Sequence, residues 1–155
     1  MIRIGETAPT FTLPDSTGRE RSLTELLATG PLVLFFYPAD FTPICTAEAC
    51  MFRDRHGDLM RAGVSVVGVS AQSVESHRRF REKNRLEYEL LSDCERKVIP
   101  SYAGTWMGIR LPFASRRVTY LIGSDGVVRD RVVADLSAAS HSRIVAAAQG
   151  LRAIS

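Results

Sequence analysis

Apolar residues in this chain gather in runs of strand length separated by polar, helix-forming segments. Leu32-Val33-Leu34-Phe35-Phe36 is an unbroken apolar run, as expected of a central strand covered on both faces. Val64 to Ser70 is a second buried strand. Between them the residues from Pro43 to about Arg61 read as a helix. Thr42 is a good N-cap, Pro43 falls at the first helical position, where its missing N–H is no loss, and Ala62-Gly63 stands at the end.

The flanking segments continue the alternation. Phe11-Thr12-Leu13 reads as a strand, Pro14 to Gly18 as a turn, and Arg19 to Ser22 as a short second strand. Leu23 to Ala28 is a short helix closed by Gly30. Val74 to Lys83 is a helix capped by Ser73, and Glu89 to Leu91 a short strand. Glu95 to Tyr102 is a short helix that Pro100 limits to a broken form. Arg117 to Gly123 and Val127 to Val133 are strands joined by the hairpin turn Ser124-Asp125-Gly126. Ser140 to Leu151 is a closing helix with a run of alanines for close packing. Strand alternating with helix points to an α/β layer architecture with a mainly parallel sheet. No repeat, low-complexity segment or long linker interrupts it, so residues 1–155 are expected to form one domain.

Composition narrows the partners. Hydrophobic residues make up 45% and charged residues 24%, ordinary for a globular chain. The longest apolar run, Pro31 to Pro38, is far too short to cross a bilayer. Met1 to Glu6 has no basic region leading into an apolar stretch, so a cytoplasmic protein is expected. The net charge of +3 does not point to nucleic acid, because the arginines are interleaved with acids, as in Arg53-Asp54-Arg55. The dense cluster Arg78-Arg79-Phe80-Arg81-Glu82-Lys83 reads as a solvated helix face. Three cysteines do not make a disulfide framework, and the odd count leaves at least one thiol free.

The chemistry concentrates at Cys45. Thr42 as cap and Pro43 as first residue put Cys45 in the first turn of its helix, where unpaired N–H groups and the helix dipole favour a thiolate. A thiolate at a strand-to-helix junction is a nucleophile by position; a buried, inert thiol is the plainer alternative. The pattern Pro-x-x-x-Thr-x-x-Cys, filled by Pro38, Thr42 and Cys45, resembles the peroxiredoxin signature. With a second cysteine five residues on, the string Phe36 to Cys50 is similar to the Q subfamily, the bacterioferritin comigratory protein type. The resemblance runs from Gly5-Glu6-Thr7-Ala8-Pro9 to Arg117-Val118-Thr119-Tyr120-Leu121-Ile122. It implies a thioredoxin-like fold in its peroxiredoxin variant: a central mixed β-sheet flanked by helices, with an N-terminal β extension.

The same resemblance implies roles. Cys45 attacks a peroxide oxygen and becomes a sulfenic acid. The Thr42 hydroxyl bonds the thiolate and the peroxide, or serves only as the cap. Pro38 shapes the pocket, or simply ends a strand. An arginine is needed to hold charge and oxygen in a fixed fork, and the family pattern assigns it to Arg117; a one-residue shift in register would substitute Arg116. Glu48 orients that arginine or moves protons, or is a helix-surface carboxylate. Cys50 is the resolving cysteine, or a core residue. Five residues of helix separate two Cα atoms by roughly 8–9 Å on faces about 140° apart, and a disulfide requires them within about 7 Å. The helix must therefore unwind locally for Cys45 and Cys50 to join.

Cys94 reads as incidental, with a reserve resolving thiol as the alternative. Ile44 departs from the glycine frequent before the nucleophile. His56, His77 and His141 lie apart in sequence from Cys45, and the resemblance assigns none of them a role. The expected activity is reduction of hydrogen peroxide and organic hydroperoxides, with no metal, haem or flavin. Thioredoxin or a similar dithiol protein is the expected reductant, and a monomer or weak homodimer the expected state. Trp106, Met107, Leu111 and Phe113 are candidates for the site rim or a dimer contact. Competing expectations are a one-cysteine peroxidase resolved by an external thiol, and a redox sensor or holdase using the same cysteine. A zinc module built from the cysteines and a histidine fits no common spacing.

Overall fold

The computed structural model describes residues 1–104, 117–133 and 138–154. In chain order the elements are β1 (Thr12–Pro14), β2 (Glu20–Ser22), α1 (Leu23–Leu27), β3 (Leu32–Phe36), α2 (Pro43–Arg61), β4 (Ser65–Ser70), α3 (Val74–Asn84), β5 (Glu89–Ser92), α4 (Ile99–Ala103), β6 (Val118–Ile122), β7 (Val128–Val133) and α5 (Ala138–Ile154). Five strands form one sheet in the order β5-β4-β3-β6-β7, while β1 and β2 pair separately. The β3, β4 and β5 strands run parallel; β6 is antiparallel to β3, and β7 to β6. The sheet is therefore mixed. The mainly parallel pairing applies only to its β5-β4-β3 half, because the short turn after β6 returns β7 directly against it.

The apolar run of β3 is explained by its position. Successive side chains on a strand point to opposite faces. Leu32, Leu34 and Phe36 join one core with Leu23, Leu26 and Leu27 of α1 and Ile99 and Tyr102 of α4. Val33, Phe35 and Tyr37 join the other, with Phe52 and Leu59 of α2, Phe80 of α3 and Ile144 of α5. Phe35 stacks on Phe52 with ring centroids 4.8 Å apart, and Phe36 on Tyr102 at 5.0 Å. Gly68 of β4 makes room for this packing: a Cβ there would lie 2.7 Å from Phe35 Cζ and 2.8 Å from Leu90 Cδ2.

Local chemistry sets the ends of α2. The Thr42 hydroxyl accepts from the Cys45 N–H, and Pro43 opens the helix. At the far end Gly63 adopts φ +77°, and the Val64 N–H reaches back to Leu59 O at 2.8 Å, a Schellman-type closure. Two sequence expectations shift. The first strand is displaced by one residue, to Thr12–Pro14. The helix expected from Glu95 begins only at Ile99, so Pro100 lies in its first turn, where a proline breaks no bond. The preceding connection is instead held by the Asp93 carboxylate, which accepts from the N–H groups of Lys97, Val98 and Ile99 at 3.0, 3.0 and 2.8 Å. Trp106, Met107, Leu111, Phe113 and Arg116 lie outside the described residues. Among the described residues, no helix is long and apolar enough to cross a membrane.

Candidate active site

Strand register brings the site together. In the β3–β6 pair Val118 stands opposite Phe36. Arg117, the residue before β6, therefore sits where the chain leaves β3 for the N-terminus of α2. Its guanidinium forks. Nη2 donates to Cys45 Sγ at 3.2 Å, and Nη1 donates to Glu48 Oε1 at 2.9 Å. Cys45 is 2% exposed, and Glu48, one turn further on the same helix, is also buried. Burial works against the charge on Arg117. The hydrogen bond to Cys45 and the charge of Glu48 outweigh it, so the guanidinium pKa is raised and the cation persists. Negative charge on the sulfur thus meets a fixed cation on one side and the helix N-terminus on the other.

Thr42 Oγ1 lies 3.3 Å from the Cys45 amide nitrogen that it caps, and the hydroxyl donates to Ala39 O at 3.4 Å. Pro38 is half-buried at the exit of β3, its carbonyl accepting from Gln72 Nε2 at 3.4 Å. Cys50 faces different surroundings from Cys45. Half-buried, it lies 3.8 Å from Asn84 Oδ1 at the end of α3, and both thiols are free.

The model of the AhpC/TSA family matches residues 4–131. This chain belongs to that family. Peroxiredoxin Bcp of Escherichia coli K12 is 36% identical over 149 residues, spanning 93% of each chain. The crystal structure of peroxidoxin BcpB from Mycobacterium tuberculosis superposes with a TM-score of 0.87 at 38% identity, over 100% of this chain and 99% of that one. A Xanthomonas campestris bacterioferritin comigratory protein, studied for alkyl peroxide reduction, superposes at 0.79 with 27% identity over 92% of each chain. The fold is accordingly the thioredoxin-like fold of peroxiredoxins, and the protein is a thiol-dependent peroxidase of the Bcp and Q type acting on peroxide.

In this peroxiredoxin the structure also brings together side chains that sequence reasoning passed over. Asp40 and His77 are both buried and meet at 2.7 Å, next to the loop that carries Thr42. The available signal was the spacing of His77 and Phe80, which share the buried face of α3. Cys94 is exposed just after β5, its Sγ 3.1 Å from Ser92 Oγ. His56 is buried on α2 with Nδ1 3.7 Å from Glu87 Oε2. Among the described residues no three histidine, cysteine or carboxylate side chains are grouped as metal ligands.

Proposed function

We propose that this peroxiredoxin works through Cys45, with Cys50 as its resolving thiol. The Cys45 thiolate attacks the terminal oxygen of a hydroperoxide, the O–O bond breaks, and Cys45 becomes a sulfenic acid while the alkoxide takes a proton and leaves as alcohol or water. Cys50 then attacks the sulfenic sulfur. A Cys45–Cys50 disulfide forms, water departs, and a dithiol protein of the thioredoxin kind reopens the bond by exchange. Arg117 holds both the sulfur and the peroxide oxygens, Glu48 fixes the arginine, Thr42 supplies a hydroxyl at the same helix end, and Pro38 limits water there.

The observation that carries this reading is the Arg117 fork between Cys45 Sγ and Glu48 Oε1. Organic hydroperoxides as substrates are supported by the alkyl peroxide reduction of the Xanthomonas relative. A reducing, cytoplasmic setting suits a cycle that returns Cys45 and Cys50 to thiols after each turnover. The chain acts as one domain, as a monomer or weak homodimer.

Peptide mapping after one equivalent of hydrogen peroxide tests the cycle. Trypsin leaves Cys45 and Cys50 together in Ser22 to Arg53, and Cys94 in Leu86 to Arg96. Loss of two hydrogens within the first peptide is the expected result. A cross-link between the peptides makes Cys94 the resolving thiol. An added oxygen on the first peptide means one-cysteine chemistry, and an unchanged map overturns the assignment of Cys45.

A further inference from the structure

The loop between β3 and α2 is held from behind by a buried polar cluster. Asp40 Oδ1 accepts from the Tyr37 hydroxyl at 2.6 Å. Asp40 Oδ2 accepts from Ser76 Oγ at 2.7 Å and faces His77 Nδ1 at 2.7 Å. The Asp40 N–H donates to Gln72 Oε1 at 3.2 Å, and Gln72 in turn reaches Pro38 O. On the far side of the imidazole, His77 Nε2 lies 3.0 Å from Leu91 O. The side chains of Asp40 and His77 are 1% and 0% exposed. Ser70 Oγ and the Tyr37 hydroxyl complete the surroundings of the ring, each 3.5 Å from a ring nitrogen.

Partners assign the hydrogens. A backbone carbonyl only accepts, so Nε2 donates to Leu91 O. Nδ1 lies within hydrogen-bond distance of Asp40 Oδ2. His77 is therefore a clamp that bridges the loop residue Asp40 and strand β5. The residue after Asp40 shows what the clamp holds. Phe41 adopts φ +65°. A bulky residue in that left-handed region is strained and persists only where neighbours over-determine it. Phe41 in turn delivers Thr42, whose hydroxyl caps the helix at Cys45.

We infer that His77 is a positioning residue for the Cys45 nucleophile, acting through Asp40 and the left-handed Phe41 to set Thr42 and the first turn of α2. The inference rests on Cys45 being the nucleophile. It assigns a role to a buried histidine that the thiol chemistry itself does not use.

The test compares His77→Leu, which fills the site without a donor, with His77→Asn, which offers an N–H toward Asp40. Val128→Ala, at the start of β7 and in the other core, controls for lost stability. Two quantities are read: kcat/KM for hydrogen peroxide, and the pH dependence of Cys45 alkylation in a Cys50→Ser, Cys94→Ser background. For His77→Leu the expected result is a roughly tenfold loss of kcat/KM and an alkylation profile moved to higher pH. His77→Asn recovers part of both, and Val128→Ala lowers Tm without moving the profile. An unchanged profile in His77→Leu, a shift equally present in Val128→Ala, or no recovery in His77→Asn overturns the inference. Should His77→Leu fail to fold, Asp40→Asn is read for the same profile shift, and its absence there is equally decisive. Peroxidase activity surviving in Cys45→Ser would overturn the nucleophile assignment instead, whatever the His77 variants do.

Discussion

At the scale of single residues, the fork on Arg117 is the most demanding contact in the site. One planar group reaches Cys45 Sγ with Nη2 and Glu48 Oε1 with Nη1. A lysine would carry the same charge as a single point and cannot span both partners in a fixed plane. Arg117→Lys is expected to fold but to lose roughly 10²-fold in kcat/KM for peroxide, the typical effect of removing one aligned donor from a charge-developing site. Steady-state assays beside circular dichroism check this; near-full activity in Arg117→Lys would mean that charge alone suffices. Cys45, Thr42 and Pro38 stand out in the sequence because they lie within one short segment whose spacing is local. Asp40 and His77 do not, because they are 37 residues apart and neither neighbourhood announces the other. A buried histidine has no sequence signal of its own beyond sharing a helix face with Phe80.

At the scale of elements, the ends of helix α2 are set by local capping. Its Thr42 cap and Pro43 start are legible in sequence, as is the Gly63 stop, because capping is chemistry between near neighbours. Less legible was the start of α4, which depends on Asp93 accepting three N–H groups across a loop. The middle of α2 is pinned by distant partners that no pattern foretells. The Tyr88 hydroxyl donates to Ala49 O at 2.6 Å, and Arg53 Nη1 donates to Asn84 O at 2.9 Å. Burial, then charge on Cys50, pushes the Tyr88 pKa well up, so this hydroxyl keeps its proton and its bond at physiological pH. Closing a disulfide across five helical residues must break such bonds, since the helix holds the Cα atoms roughly 8–9 Å apart. Oxidation should therefore strip hydrogen-exchange protection from Thr46 to Arg53 while β3 and β4 stay protected. Mass spectrometry on the reduced and oxidised protein, with Cys50→Ser as the control, reads this directly; equal protection in the two states would exclude the Cys45–Cys50 bond.

At the scale of the whole molecule, the sheet has a core on each face, and the N-terminal ribbon is docked onto its β5 edge. Asp15 pairs with Leu91 as an isolated bridge, and Ser16 donates to Glu89 Oε1 through both its N–H and its hydroxyl. Arg81 Nη1 ties Ser16 Oγ at 2.9 Å and Glu89 Oε2 at 3.2 Å into the same joint. Asp15 is the centre of the ribbon turn. Its Oδ1 accepts from the N–H and hydroxyl of Thr17 at 2.8 and 2.6 Å and from the Arg19 N–H at 3.1 Å. Burial pushes its carboxyl upward, but these bonds and that of Arg21 outweigh burial and leave the pKa lowered. A carboxylate with a depressed folded value adds stability above the unfolded aspartate value of about 3.9, and that stability is lost as pH falls through the lower folded value. Asp15→Asn should therefore destabilise the protein by about 1–3 kcal/mol at neutral pH, the range for a buried acceptor group left poorly matched. The difference from wild type should shrink as pH falls below about 4, where both side chains are uncharged in the unfolded chain and Asp15 begins to protonate in the folded one. Urea unfolding across that window measures it. A difference that stayed constant with pH would show that the ribbon is held by packing and by the Ser16–Glu89–Arg81 joint rather than by the charge on Asp15.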